Sequence, residues 1–196
     1  VLHEDSVFPV HRAGIPTNIR NTNAPEEIGT MITHGAVEEP NPYVITGIAG
    51  RLGFSVISVE KAMMNGEVGF GRKVLQAVEE FGLSFEHMPT GIDTMCVVLS
   101  TAELEPVKEQ LTRRIWETTN PDTLTIHDNM GIIATVGRGM VHNPGTAARL
   151  FTALSRYHIN DRMIDQGSSE LSILVGVDSG EFQQAILAIY DEFVSE

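Results

Sequence analysis

An α+β fold is expected, made of two interlocked copies of one βαββαβ unit. Three observations predict it. The chain repeats itself, each copy switches between strand-like and helix-like apolar spacing, and the second copy lacks its last strand. Superposing residues 55–99 on 131–175 without a gap places Gly69 on Gly145, Lys73 on Arg149, Ala77 on Ala153 and Gly91 on Gly167. Val74, Leu75, Val78, Phe81 and Leu83 fall on Leu150, Phe151, Leu154, Tyr157 and Ile159.

Each copy opens with a β-branched strand, residues 55–61 or 132–136. A glycine-containing loop follows, then a stretch with apolar residues at i, i+1, i+4 and i+7, the helical spacing, over 70–81 or 146–157. Residues 83–88 and 93–100 read as a hairpin around Pro89-Thr90-Gly91, and 159–164 with 170–177 repeat it around Gln166-Gly167-Ser168. Leu104, Val107, Leu111 and Ile115 form the stripe of a second helix, as do Phe182, Ala185, Ile189 and Phe193. Residues 123–127 close copy one as a fourth strand. Two helices on one face of a four-stranded antiparallel sheet make each unit ferredoxin-like.

Copy two has no fourth strand of its own. An open apolar edge invites aggregation, so the apolar segment 44–49, just before copy one, is assigned to that edge. Copy one is then inserted in copy two: residues 41–54 with 131–196 form one domain and 55–130 the other. Residues 1–40 belong to neither. Residues 15–21 read as a short strand, 25–32 as a loop leading into another, and 37–42 as a linker. With Val1 rather than Met at its start, the chain reads as part of a longer protein that begins with another domain.

The chain has 196 residues, and its 13 Lys+Arg against 26 Asp+Glu give a net charge of −13, which argues against nucleic acid or an anionic membrane as partner. A single cysteine, Cys96, excludes a disulfide framework and points to a reducing, cytoplasmic setting. No apolar run is long enough to span a membrane, and no signal peptide is visible. Seven histidines are scattered without metal-ligand spacing, so no metal site is expected. No phosphate loop and no nucleophile elbow occurs, so these residues carry no catalytic constellation.

The loops after the first strands are the candidate binding elements. Each leads into a helix start, where free N–H groups and the helix dipole favour a carboxylate. Acidic or amide residues of the next strand, Glu86 in copy one and Asn160-Asp161 in copy two, are expected to face those loops and to take an ammonium group. A free amino acid would satisfy both. The alternative is that Met63 and Met64 are core and the glycines only turn the chain.

Residues 137–151 (GRGMVHNPGTAARLF) with 159–170 (INDRMIDQGSSE) resemble the second ACT domain of aspartokinases. Residues 15–22 with 29–32 resemble the end of that family's kinase domain, and 46–49 the strand that opens its regulatory part. The resemblance implies a parent enzyme that phosphorylates aspartate with ATP and Mg. Its catalytic domain, with a Lys-Phe-Gly-Gly-Thr motif, is absent here, so no kinase activity, catalytic residue or cofactor is expected of these residues. It also implies ACT-mediated homodimers that bind lysine or threonine and inhibit their own kinase domain. By position, the effector residues would be Met63, Met64, Asn65, Gly66, Glu67, Val68, Gly69, Phe70, Phe85 and Glu86, with Asn143, Pro144, Gly145, Thr146, Asn160, Asp161, Gln166 and Ser168 at the ACT–ACT interface. An amino-acid sensor serving another protein, or a dimerisation module without an effector, are the competing readings.

Overall fold

The computed structural model describes residues 4–33 and 43–194. They fall into two compact units, Val1–Asn41 and Pro42–Glu196. In the first, helix α1 (Glu4–Arg12) precedes a two-stranded antiparallel ribbon of β1 (Thr17–Ile19) and β2 (Thr30–Ile32). The expected linker at 37–42 lies outside the described residues.

The second unit runs β3 (Gly47–Glu60), α2 (Phe70–Glu80), β4 (Phe85–His87), β5 (Thr94–Ser100), α3 (Thr101–Leu104), α4 (Lys108–Thr119), β6 (Thr123–Val136), α5 (Thr146–Arg156), β7 (Met163–Asp165), β8 (Ser172–Asp178) and α6 (Phe182–Val194). All its strands join one six-stranded sheet in the order β4-β5-β3-β6-β8-β7, antiparallel throughout. This is the mixed α+β, ferredoxin-like architecture expected. The strands are fewer, however: the two central ones are longer than expected, and the edge strands β4 and β7 have three residues each, shorter than the expected 83–88 and 159–164. Segments 44–49 and 55–61, expected as separate strands, are one strand, β3, and 123–127 with 132–136 are one strand, β6.

Continuity is possible because β3 and β6 pair along almost their whole length, from Gly47↔Val136 to Glu60↔Thr123. The register slips between Leu52 and Phe54, where Gly53 sits at φ +93°, a conformation L side chains avoid. That bulge divides the ribbon. On one side Gly47–Leu52 supplies the edge that copy two lacks; on the other, β3 pairs with β5. Each half-sheet therefore has four strands.

Each half buries its own helices. Ile57, Val59, Val97 and Leu99 pack against Val74, Val78, Leu111 and Ile115 from α2 and α4. Ile133, Ile173, Val175 and Val177 pack against Leu150, Leu154, Ala185 and Ile189 from α5 and α6. A third apolar cluster, Phe54, Val56, Val98, Met130, Ile132 and Met163, lies on the faces without helices and joins the two halves. The edge strands β4 and β7 also approach one another, with His87 Nδ1 3.8 Å from Asp165 Oδ2.

Candidate functional site

The loop between β3 and α2 is held by backbone contacts with aspartates. Asp122 Oδ2 accepts from the Ala62 amide at 2.7 Å, and Asp93 Oδ1 from the Met63 amide at 2.8 Å. Asn65 donates its amide to the Ile92 carbonyl at 3.1 Å. These bonds hold Met63 at φ +60°, with its side chain 79% exposed, while Met64 drops into the first core. Phe70 is also core, and Val68 is almost wholly exposed.

Glu67 is the charged residue between Ala62 and Gly69. Lys61 Nζ lies 2.7 Å from one of its oxygens and Lys73 Nζ 2.6 Å from the other. Hydrogen bonds from Lys61, then Lys73, hold its carboxyl below the usual carboxylate range. Lys61 also donates to the Thr119 carbonyl at 2.8 Å. The two lysines were missed from sequence: Lys61 closes a strand and Lys73 sits on a helix, and no local spacing pairs both with Glu67.

Gly69, at φ +80°, is the N-cap of α2, and Gly145, at φ +93°, is that of α5. Among the described residues neither helix start has a side-chain cap. The first amide of each helix is already used, Phe70 donating to the Glu67 carbonyl at 3.2 Å and Thr146 to the Asn143 carbonyl at 3.4 Å, which leaves the later first-turn amides for an anion. The second loop is more self-contained. Met140 is core, the Asn143 side-chain amide donates to the Gly139 carbonyl at 2.7 Å, and buried Thr146 donates to the Asn143 carbonyl at 2.7 Å.

The register corrects one expectation. Glu86 does not face the loop of its own chain. Phe85 pairs with Leu99, which pairs with Ser55, whereas the loop leaves β3 beyond Glu60, opposite Thr94. Phe85 and Glu86 thus lie at the other end of the half-sheet, where Glu86 forms an ion pair with Arg51. The same holds in copy two. Met163, at the start of β7, pairs with Gly176 near the Gly131 end, so Asn160 and Asp161 lie away from the loop that follows Val136. Gln166 and Ser168 follow β7 at the loop's own end. The physical reason is that a helix returns the chain to the far end of the sheet before the next strand begins. A depression of about 810 Å³ along α4, near Trp116 and Ile126, touches none of the expected residues.

An ACT domain family model matches residues 133–193. Over 194 residues the chain is 41% identical to aspartokinase 3 of Bacillus subtilis, covering 98% of this chain and 42% of that protein. Over nearly its whole length the chain matches the regulatory part of aspartokinases. The crystal structure of Clostridium acetobutylicum aspartate kinase superposes with a TM-score of 0.89 at 48% identity, over 98% of this chain and 45% of that one. Aspartokinase III of E. coli, solved with lysine and aspartate in its T-state, superposes at 0.72 with 19% identity, over 99% and 42%, a likeness of fold alone. The chain thus spans less than half the length of these relatives. No helix among its described residues is long and apolar enough to cross a membrane.

Proposed function

We propose that this region senses an end-product amino acid, lysine or threonine, and inhibits an attached aspartate kinase domain. The carrying observation is that 98% of the chain aligns with less than half of an aspartokinase, and that its larger unit has the ACT-type architecture rather than a catalytic one. The uncapped starts of α2 and α5 support carboxylate binding. The E. coli structure was solved with lysine and aspartate in its T-state, which makes lysine the first candidate to test.

Because Glu86 lies away from its own loop, it would serve the α2 start of a second copy. The effector would then bridge two chains of a homodimer, with Met63 to Phe70 from one and Phe85 and Glu86 from the other. The copy-two residues Asn143 to Thr146, Gln166 and Ser168 would support the interface, and Asn160 and Asp161 would lie nearer the ribbon's middle. On the same reading, residues 41–54 with 131–196 form the second ACT domain, 55–130 the first, and 1–40 the end of the kinase domain that holds ATP and Mg. An effector inhibits only by binding one dimer arrangement better than another.

Calorimetric titration of the chain and of its full-length enzyme with lysine, threonine and methionine tests this. Saturable heat with lysine or threonine is expected, lost in Glu86→Ala while the dimer persists. A folded full-length enzyme that gave no heat with any of them would overturn the reading.

A further inference from the structure

The helix-free faces of the two half-sheets do more than touch. The apolar contact formed by Phe54, Val56 and Val98 against Met130, Ile132 and Met163 is incomplete. Beside it remains a cavity of about 150 Å³, several times the roughly 30 Å³ that one water occupies in liquid. Val56, Met130 and Met163 form its apolar wall; Ser58, Cys96, His127 and Arg162 form its polar one. Cys96 also lines an outer recess bordered by Thr90, Thr94 and Asp165.

The polar wall combines one buried hydroxyl, Ser58, with the exposed side chains of Arg162 and His127. Arg162 Nη1 lies 3.2 and 3.4 Å from the two oxygens of Asp178, and Nη2 lies 3.3 Å from His127 Nδ1. Arginine only donates, so Nδ1 accepts, and the imidazole N–H is then on Nε2, 3.5 Å from Thr125 Oγ1. Among the described residues the Arg162 Nε–H has no acceptor. Ser58 is buried and takes a weak bond from the Cys96 thiol at 3.8 Å, while its own hydroxyl proton finds no acceptor among the described residues. A buried donor without a partner is costly. A guanidinium held by Asp178, with donors left over beside a buried hydroxyl, suits a carboxylate. The methionine side chains opposite adapt readily to a short alkyl group.

We propose that this cleft between the half-sheets binds a small aliphatic carboxylate, with its anionic end on Arg162 and Ser58 and its alkyl end against Val56, Met130 and Met163. The site is separate from the α2 and α5 loops and does not depend on the sensing role proposed for them. Binding here would tie the two half-sheets together, since Arg162 and Met163 come from one half and Val56 and Ser58 from the other.

Methyl-¹³C-methionine NMR of the chain tests it, with isovalerate as probe and isoamylamine, of the same carbon skeleton, as charge-reversed control. Met130 and Met163 report the cleft, and Met63 and Met64 report the loop. Isovalerate is expected to shift the Met130 and Met163 methyls saturably and leave Met63 and Met64 unmoved; isoamylamine is expected to shift none. Arg162→Met should weaken the titration at least tenfold, and Arg162→Lys should recover part of it. If Arg162→Met does not fold, Ser58→Ala provides the same comparison. Absence of saturable shifts at Met130 and Met163 would show that the cleft holds only water, and shifts of equal affinity in the variants would show that Arg162 and Ser58 do not hold the anion; either result overturns the proposal.

Discussion

Two aspartates respond to the fold in opposite directions. Burial, then the nearby Glu181 charge, raises the carboxyl of Asp161, and one oxygen of each residue is buried without a hydrogen-bond partner among the described residues. The folded state therefore holds that proton more tightly than the unfolded chain does. Stability contributed at acid pH is lost as pH rises through the folded value. Asp161→Asn is expected to raise the melting temperature at neutral pH, with the gain vanishing in acid, as a pH series of calorimetric melts would show. Asp128 is the reverse case. Hydrogen bonds from Lys108 at 2.7 Å and from buried Ser55 at 2.7 Å lower its carboxyl. Asp128→Asn should lower the melting temperature at neutral pH, and the difference should fade as the wild type is acidified through the depressed value. Glycine also acts at this scale. A Cβ on Gly50 would meet the Phe182 ring at 2.6 Å, and one on Gly131 would clash with the same ring. Gly131→Ala should cost roughly 1–3 kcal/mol by chemical denaturation, the range for overpacking.

At the scale of elements, the β3–β6 ribbon decides the architecture. The half-sheet of β6, β8 and β7 is completed by Gly47–Leu52, which precedes it by a whole ACT-sized insertion. A chain of residues 131–196 alone would expose that edge. It is expected to aggregate or self-associate, whereas a monomeric, cooperatively melting product would contradict the account. The helices contribute through their buried stripes. Leu150 on α5 and Leu111 on α4 are fully buried, and truncating either to alanine should cost about 2–5 kcal/mol in urea unfolding. Gly69 and Gly145 begin α2 and α5 in a left-handed conformation that alanine tolerates poorly. Gly69→Ala should therefore weaken amino-acid binding at the first loop more than Gly82→Ala does, although Gly82 also has positive φ. Equal losses would show that the effect is only one of stability.

At the scale of the molecule, regulation requires two arrangements with different effector affinities. Coupling of roughly 1–3 kcal/mol is usual for such systems. Saturating lysine is expected to change the solution scattering of the full-length enzyme's dimer, and Glu86→Ala to abolish the change. An identical scattering curve with and without bound effector would remove the proposed mechanism. The net charge of −13 disfavours polyanionic partners.

The repeat, the helix spans and the need for a borrowed strand were legible in the sequence, because apolar spacing records which face of each element is buried. Gly69 and Gly145 were legible as equivalent positions of the repeat, and their left-handed conformation is the physical reason for glycine at both. What the tertiary structure alone decided is where those elements meet. It fused four expected strands into β3 and β6, because pairing continues across the Gly53 bulge. It set Glu86 on Arg51 instead of at its own loop, and placed Glu67 between Lys61 and Lys73. It also brought Arg162 to His127 and Ser58 into the same cleft. Those contacts join residues far apart in the chain, and local periodicity carries no information about which distant face a buried one will meet.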